Sequence, residues 1–201
     1  MKIGVIGAGH LGTSVGSAIA EGGHEVLLSS RHPKYLQDSQ PNTSIMTIEE
    51  CAKKADVILL ATPYRALPKL AQQLAKDITN KVVLDATNPE PSDNGKLAET
   101  SRQEGMGVTT QSYLSTARVV RAFSSINAGN VPRSRYQSSP LAIPIAGDDP
   151  KAVEIAKQIV SDAGCTPVVT GDLASGRIFE WGNPGCFVNT NEARLRRIIG
   201  V

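Results

Sequence analysis

The chain has 201 residues, 40% of them hydrophobic and 20% charged, and 21 Lys and Arg against 19 Asp and Glu leave a net charge of +2. A globular domain of this size buries roughly 70% of its unfolded surface and needs no metal or disulfide to hold a core. The charge balance excludes the basic field on which non-specific nucleic-acid binding depends, and no apolar run approaches the roughly 20 residues of a membrane span.

The opening run Met1 to Gly7 leads directly into a strand, Lys2 to Ile6, with no signal-peptide region, which predicts a cytoplasmic chain. Gly7-Ala8-Gly9-His10-Leu11-Gly12 follows, and then Leu11, Val15, Ala18 and Ile19 recur at helical spacing. Gly22-Gly23 closes that helix and Glu25 to Leu28 forms a second strand, completing a right-handed βαβ unit. Val57 to Ala61 and Val82 to Asp85 are continuous apolar strands, the pattern of a parallel sheet covered on both faces.

From Asn88 to Arg118 the composition turns to Pro, Ser, Gly, Asn and charged residues, which predicts a surface excursion with one short helix, Lys96 to Gln103. Val119 to Phe123 resumes the sheet, and an Arg-bearing loop, Gly129 to Pro140, leads to a strand at Leu141 to Ala146. Asp148 is read as the cap of a helix with Pro150 in its first turn; Gly164 stops it, and Pro167 to Thr170 supplies another strand. The tail from Gly171 is irregular until an amphipathic helix, Glu192 to Ile199, with Leu195, Ile198 and Ile199 on one side. Cys51, Cys165 and Cys186 form no Cys-x-x-Cys pair and are read as ordinary thiols, with no metal site.

Gly7, Gly9 and Gly12 have the Gly-x-Gly-x-x-Gly spacing at a strand-to-helix turn. Gly7 permits the tight turn, Gly9 admits a pyrophosphate to the backbone, and Gly12 lets helix and strand approach. The helix N-terminus then offers unpaired N–H groups to the anion. The pattern predicts an α/β fold of Rossmann type: a doubly wound, mostly parallel sheet over residues 1–170, with a short C-terminal helical extension over 171–201.

The second strand ends in Ser29-Ser30-Arg31-His32-Pro33-Lys34, without the carboxylate that would accept from an NAD ribose hydroxyl. Ser30, Arg31 and Lys34 favour NADP, because a hydroxyl, a forked guanidinium and an ammonium can hold its 2′-phosphate. Ligands of an open parallel sheet sit beyond the carboxyl ends of the strands. Thr62 and Pro63, Ala86 and Asn88, and Ser124 to Asn127 are therefore candidates for contacts to ribose and carboxamide. The catalytic acid or base is unassigned: His10 reads as positioning the turn, and no Ser–His–Asp or carboxylate-pair pattern stands out.

The glycine turn, Gly23-His24-Glu25-Val26, Ser30-Arg31, Val82 to Pro89, Val119 to Phe123 and Ala146-Gly147-Asp148-Asp149 together resemble the F420-dependent NADP oxidoreductases, nearly throughout the chain. The cytosolic reductase domain of the membrane metalloreductases is similar too. The resemblance implies a commonly dimeric protein that passes hydride between NADPH and an 8-hydroxy-5-deazaflavin coenzyme. By position it implies pyrophosphate contacts at Ala8, Gly9, His10 and Leu11, 2′-phosphate contacts at Ser30 and Arg31, and a nicotinamide-side contact at Ile126. A lysine of the family's phosphate clamp falls on Tyr35 here, with Lys34 one place earlier. The ending Phe179 to Pro184 resembles bacterial members.

The expected partner is thus a small-molecule redox acceptor, with deazaflavin (coenzyme F420) first and a flavin, quinone or ferric chelate as alternatives. Neither nucleic acid nor membrane is expected, a homodimer is, and a module that senses NADP without turnover is the competing class. Arg118, Arg121, Arg133 and Arg135 are read either as an attraction for the acceptor's acidic tail or as a solvated face. A dehydrogenase with its own substrate domain needs about 300 residues, so the roughly 30 left after the Rossmann sheet can wall a cleft but not form a domain. The acceptor should therefore need stacking more than enclosure.

Overall fold

The computed structural model describes residues 1–201 except 31–41, 90, 91 and 94. In chain order the elements are β1 (Lys2–Ile6), α1 (His10–Glu21), β2 (Glu25–Ser29), β3 (Thr43–Met46), α2 (Ile48–Lys54), β4 (Val57–Leu60), α3 (Leu67–Leu74) and β5 (Val82–Asp85). There follow α4 (Lys96–Glu104), α5 (Met106–Tyr113), β6 (Arg118–Arg121), α6 (Val131–Ser134), β7 (Ala142–Gly147), α7 (Pro150–Asp162), β8 (Thr166–Gly171) and α8 (Glu192–Ile199).

The strands form one sheet in the order β3-β2-β1-β4-β5-β6-β7-β8. The first six run parallel in the doubly wound order of a Rossmann sheet, and β7 then pairs antiparallel with β6 and carries β8 parallel to itself. Side-chain alternation divides the core in two. Ile3, Val5, Val57, Leu59, Val82, Leu84 and Val120 meet α1 and α7. Ile6, Ile58, Leu60, Val83 and Val119 face the other way, towards α2 and α3. Both faces are covered, which is why these strands read as unbroken apolar runs.

Local chemistry sets the element ends. α2 starts in a capping box, with the Thr47 side chain accepting from Glu50 N and Glu50 accepting from Thr47 N. α7 is capped by Asp149, which accepts from Ala152 N at 2.8 Å. The expected cap, Asp148, instead accepts from Leu173 N at 2.8 Å and ties the tail to the end of β7. α1 ends at Gly22, where a Cβ would run into the carbonyl of Asp162, so the glycine lets α1 and α7 meet.

The described residues from 95 to 118 do not form the expected surface excursion with one short helix. α4 ends at Gly105 (φ +102), and α5 begins at once and packs against β6 with Met106, Gly107, Thr109 and Thr110 buried. Apart from Met106, its inward face is made of small and hydroxylated residues, so it carries no apolar stripe. The stripe of α8 is satisfied within the chain, where Leu195 and Ile199 pack with Ala142 and Val168 on β7 and β8. The amphipathic character of α8 therefore needs no second subunit to explain it.

Candidate dinucleotide site

The glycine turn between β1 and α1 uses its three glycines in three ways. Gly7 has φ +114, and a Cβ there would enter the carbonyl of Ala61 at the end of β4. A Cβ on Gly12 would enter the carbonyl of Gly7, so helix and turn approach only because this position is bare. A Cβ on Gly9, by contrast, would meet no atom within 4 Å. Gly9 opens onto space large enough for a ligand to reach the backbone. It is also the N-cap of α1, with no side-chain cap and no acidic residue in the first turn. A twelve-residue helix thus directs unpaired N–H groups and the positive end of its dipole into the opening, an arrangement suited to a pyrophosphate.

Beside the turn lies a cleft of 1040 Å³ lined by Gly7, Ala8, Gly9, Ser30, Thr62 and Pro63, all expected from the sequence. Its other wall comes from residues that sequence reasoning missed: Thr47, Ile48 and Glu49 at the start of α2, Arg65 just before α3, and Lys69 and Gln73 along it. The helical spacing of Ala66, Lys69 and Gln73 directly after the strand end at Ala61 was the available signal. Ser29 borders the cleft, but its hydroxyl donates to the Val5 carbonyl at 3.1 Å within the sheet. Arg31 and Lys34, like Tyr35, lie outside the described residues.

The remaining expected residues stand elsewhere. Gly12 is buried as a packing residue, and Leu11 packs against the core. His10 is exposed on the first turn of α1 and faces Gly129 of the loop after β6. Ala86 and Ile126, at the ends of β5 and β6, are buried within the α1-side core and do not line the cleft. Asn88 is half-buried.

The ends of β5 and β6 are joined by a buried polar cluster. Arg121 and Asp85, both fully buried, pair at 2.9 Å. Arg121 Nη1 also donates to Thr87 O at 2.5 Å and Nη2 to Asn88 Oδ1 at 2.8 Å. Asp85 Oδ1 accepts from Thr87 N at 3.0 Å and from its hydroxyl at 2.5 Å. Asn88 Nδ2 donates to Ser124 O. Burial, reinforced by the charge of Asp85, pushes the neighbouring Tyr64 phenol up to about 12, so it stays neutral and donates to Met106 O at 3.4 Å.

This geometry corrects the reading of the arginines. Arg121 is enclosed and belongs neither to a solvated face nor to an attraction for an acidic tail. Arg135 donates to the carbonyls of Ala18 and Asp162 and pairs with Glu21, holding α1 and α7 together. Arg118 starts β6 at the end opposite the strand ends of the site, and binds Asn80 O and Asp149.

The C-terminal extension brackets the ends of β5 and β6. Glu180 accepts from Met106 N at 2.7 Å on one side, and Asn189 accepts from Asn127 N at 2.9 Å on the other. Between them Trp181 and Phe187 form an exposed tilted ring pair, with centroids 4.9 Å apart. Among the described residues no group of three or more His, Cys, Asp or Glu is placed to hold a metal ion, and no helix is long and apolar enough to cross a membrane.

Residues 2–89 match the family model described as NADP oxidoreductase, coenzyme F420-dependent, which bears out the resemblance over that segment. Among curated proteins the chain is 27% identical over 183 residues to metalloreductase STEAP3 of Rattus norvegicus, a match that covers 89% of this chain and 36% of that protein. It is 26% identical over 196 residues to a glycerol-3-phosphate dehydrogenase (NAD(P)+) of Leuconostoc citreum, covering 89% of this chain and 56% of the other. The chain thus spans about a third to a little over half the length of these relatives.

Among solved structures, a hypothetical protein of Sinorhizobium meliloti superposes with a TM-score of 0.78 at 22% identity, over 96% of this chain and 95% of that one. A candidate F420-dependent NADP reductase of an Arthrobacter species superposes with a TM-score of 0.71 at 21% identity, over 88% and 87%. At these identities the structural matches establish the Rossmann fold.

Proposed function

We propose that the chain is an NADPH-dependent oxidoreductase that passes hydride between NADP(H) and a flat redox acceptor, with an 8-hydroxy-5-deazaflavin of the F420 type as first choice. The observation that carries this reading is the glycine turn: an uncapped helix N-terminus opening at Gly9 onto a 1040 Å³ cleft beside Ser30, within a segment that matches a family of NADP oxidoreductases. Ala8, Gly9, His10 and Leu11 would hold the pyrophosphate, Ser30, Arg31 and Lys34 the 2′-phosphate, and Thr62 and Pro63 the adenosine side. Asn88 and the Ile126 turn would meet the nicotinamide end. When bound, NADPH supplies the hydride. The protein's part is to set the two rings face to face and keep water out, because positioning accounts for much of the barrier reduction in such a transfer.

Residues 171–201 act in this reading as an extension that walls the acceptor side, and the protein works as a cytoplasmic homodimer. The test is loss of NADPH absorbance on mixing the pure protein with NADPH and a deazaflavin. Turnover with deazaflavin supports the first choice; turnover with flavin mononucleotide or a ferric chelate alone redirects the acceptor, towards iron in keeping with the name of the metalloreductase relative. Tight NADPH binding without oxidation across the panel would make the protein an NADP sensor. Arg31→Ala should weaken NADPH at least about tenfold while leaving NADH nearly unchanged, as removal of a charge-assisted contact to the 2′-phosphate requires. Equal losses for the two cofactors would show that Arg31 does not read that phosphate. Light scattering tests the dimer.

A further inference from the structure

Arg121 is the last residue of β6, and its side chain crosses beneath the turn that follows β5, fully enclosed. Three of its acceptors lie at the end of β5 and in that turn: Asp85 Oδ2 at 2.9 Å, Thr87 O at 2.5 Å and Asn88 Oδ1 at 2.8 Å. A guanidinium only donates, so the amide of Asn88 must turn its oxygen towards Arg121 and its nitrogen away from it. One proton of that nitrogen goes to Ser124 O, beyond β6. The nitrogen has a second proton to donate, and Asn88 is half-buried at the carboxyl end of the sheet, where ligands of this fold are received.

Neutralising Asp85 would not by itself call for the bonds to Thr87 and Asn88. These two fix the register and amide orientation of the turn, and β6 is tied back to it through Ser124 O. Asp85 holds the same turn from the other side, through Thr87 N and the Thr87 hydroxyl. The fixed amide is thus set by the end of β6 rather than by its own loop.

We infer that Arg121 is a positioning residue of the nicotinamide end: it sets the Asn88 amide so that a donor, not an acceptor, faces the carboxamide and ribose of the nicotinamide half, and it touches neither. The inference rests on the NADPH reading above. Its test separates the two halves of the cofactor. Affinity for 2′,5′-ADP reports the adenosine side alone, affinity for NADPH reports both, and the ratio isolates the nicotinamide end.

Arg121→Lys replaces the fork with a point charge that cannot serve all three acceptors, and Asn88→Asp keeps an oxygen for Arg121 while removing the outward donor. Each variant should bind 2′,5′-ADP like the wild type and NADPH about tenfold more weakly, the loss expected when one hydrogen bond is removed or misaligned. The isotope effect with NADPH deuterated at C4 should also rise, because a misaligned nicotinamide makes hydride transfer more nearly rate-limiting. Thermal unfolding monitors the fold, and Asn88→Asp carries the same ratio test should Arg121→Lys fail to fold. An unchanged ratio, with both ligands still bound, would reduce Arg121 to a structural ion pair and overturn the inference alone. A wild-type protein that binds neither NADPH nor 2′,5′-ADP would overturn the cofactor reading with it.

Discussion

At Gly9 and Gly12 the same substitution should have opposite consequences. Gly12→Ala drives a methyl into the Gly7 carbonyl and should destabilise the fold by about 1–3 kcal/mol, the usual cost of overpacking. Gly9→Ala meets no protein atom, and its backbone (φ −79) suits any residue. It should therefore leave urea unfolding within about 0.5 kcal/mol of wild type while weakening NADPH, because the methyl would occupy the space that the proposed function gives to the pyrophosphate. Comparable stability losses in both variants would show that Gly9 is a packing residue.

The cysteines are another case in which surroundings decide. Burial pushes the Cys51 thiol from its ordinary 9.0 up to about 11, while its Sγ donates to Leu27 O at 3.1 Å. The neutral form is favoured by folding, so this group's contribution to stability is fully present below about pH 9 and is lost as pH rises towards about 11. Tyr64, raised from 10.0 to about 12, extends the same trend. Stability to urea should fall steadily above pH 9, and iodoacetamide at pH 8 should modify the half-exposed Cys186 while sparing Cys51 and Cys165 until the chain unfolds. Rapid labelling of Cys51 in the folded protein would contradict the burial argument.

Among the elements, the contact between α1 and α7 shows how a helix pair is specified by a few positions far apart in sequence. Gly22 lets the end of α1 rest on the carbonyl of Asp162, His24 Nε2 bonds Asp162 Oδ2 at 2.8 Å, and Arg135 holds both helix ends from a third segment. Gly22→Ala should cost about 2 kcal/mol, because the added methyl would face backbone, which cannot swing away as a side chain can. Thermal unfolding against wild type measures this, and an unchanged midpoint would mean that α1 and α7 dock less tightly than the geometry implies.

Element identity was legible where the pattern is periodic and strong. β1, α1, β2, β5, α7 and α8 stand in the structure within a residue or two of their sequence ranges. β3 and α5 were not legible. β3 is a four-residue strand with no fully buried position, and α5 buries Met106, Gly107, Thr109 and Thr110 rather than an apolar stripe. A reading based on hydrophobic spacing finds no signal in such elements.

For the whole molecule, the cofactor reading has a direct thermodynamic consequence. A ligand that binds only the folded state at a hundred times its dissociation constant adds about 2.7 kcal/mol. For a chain of this size that raises the unfolding midpoint by about 5–11 °C. NADPH should produce this shift and NADH a smaller one, read by differential scanning fluorimetry or calorimetry. Identical shifts would argue against selection of the 2′-phosphate. The tail contributes a bracket pinned at Glu180 and Asn189, with Trp181 and Phe187 exposed between them.

The sequence by itself determined the parallel sheet, because runs of apolar β-branched residues have few other uses. It also determined the glycine turn, because three glycines at that spacing between strand and helix answer local demands of backbone conformation and close approach. The tertiary structure decided the rest. Whether an arginine faces solvent or lies beneath a turn depends on which carboxylate the fold brings beside it, and Arg121 finds Asp85 across 36 residues. The far wall of the cleft, from Thr47 to Gln73, likewise arises only when α2 and α3 close over the ends of β1 and β4. Local chemistry is written in neighbouring residues, whereas burial and the partners of a charge belong to the folded chain.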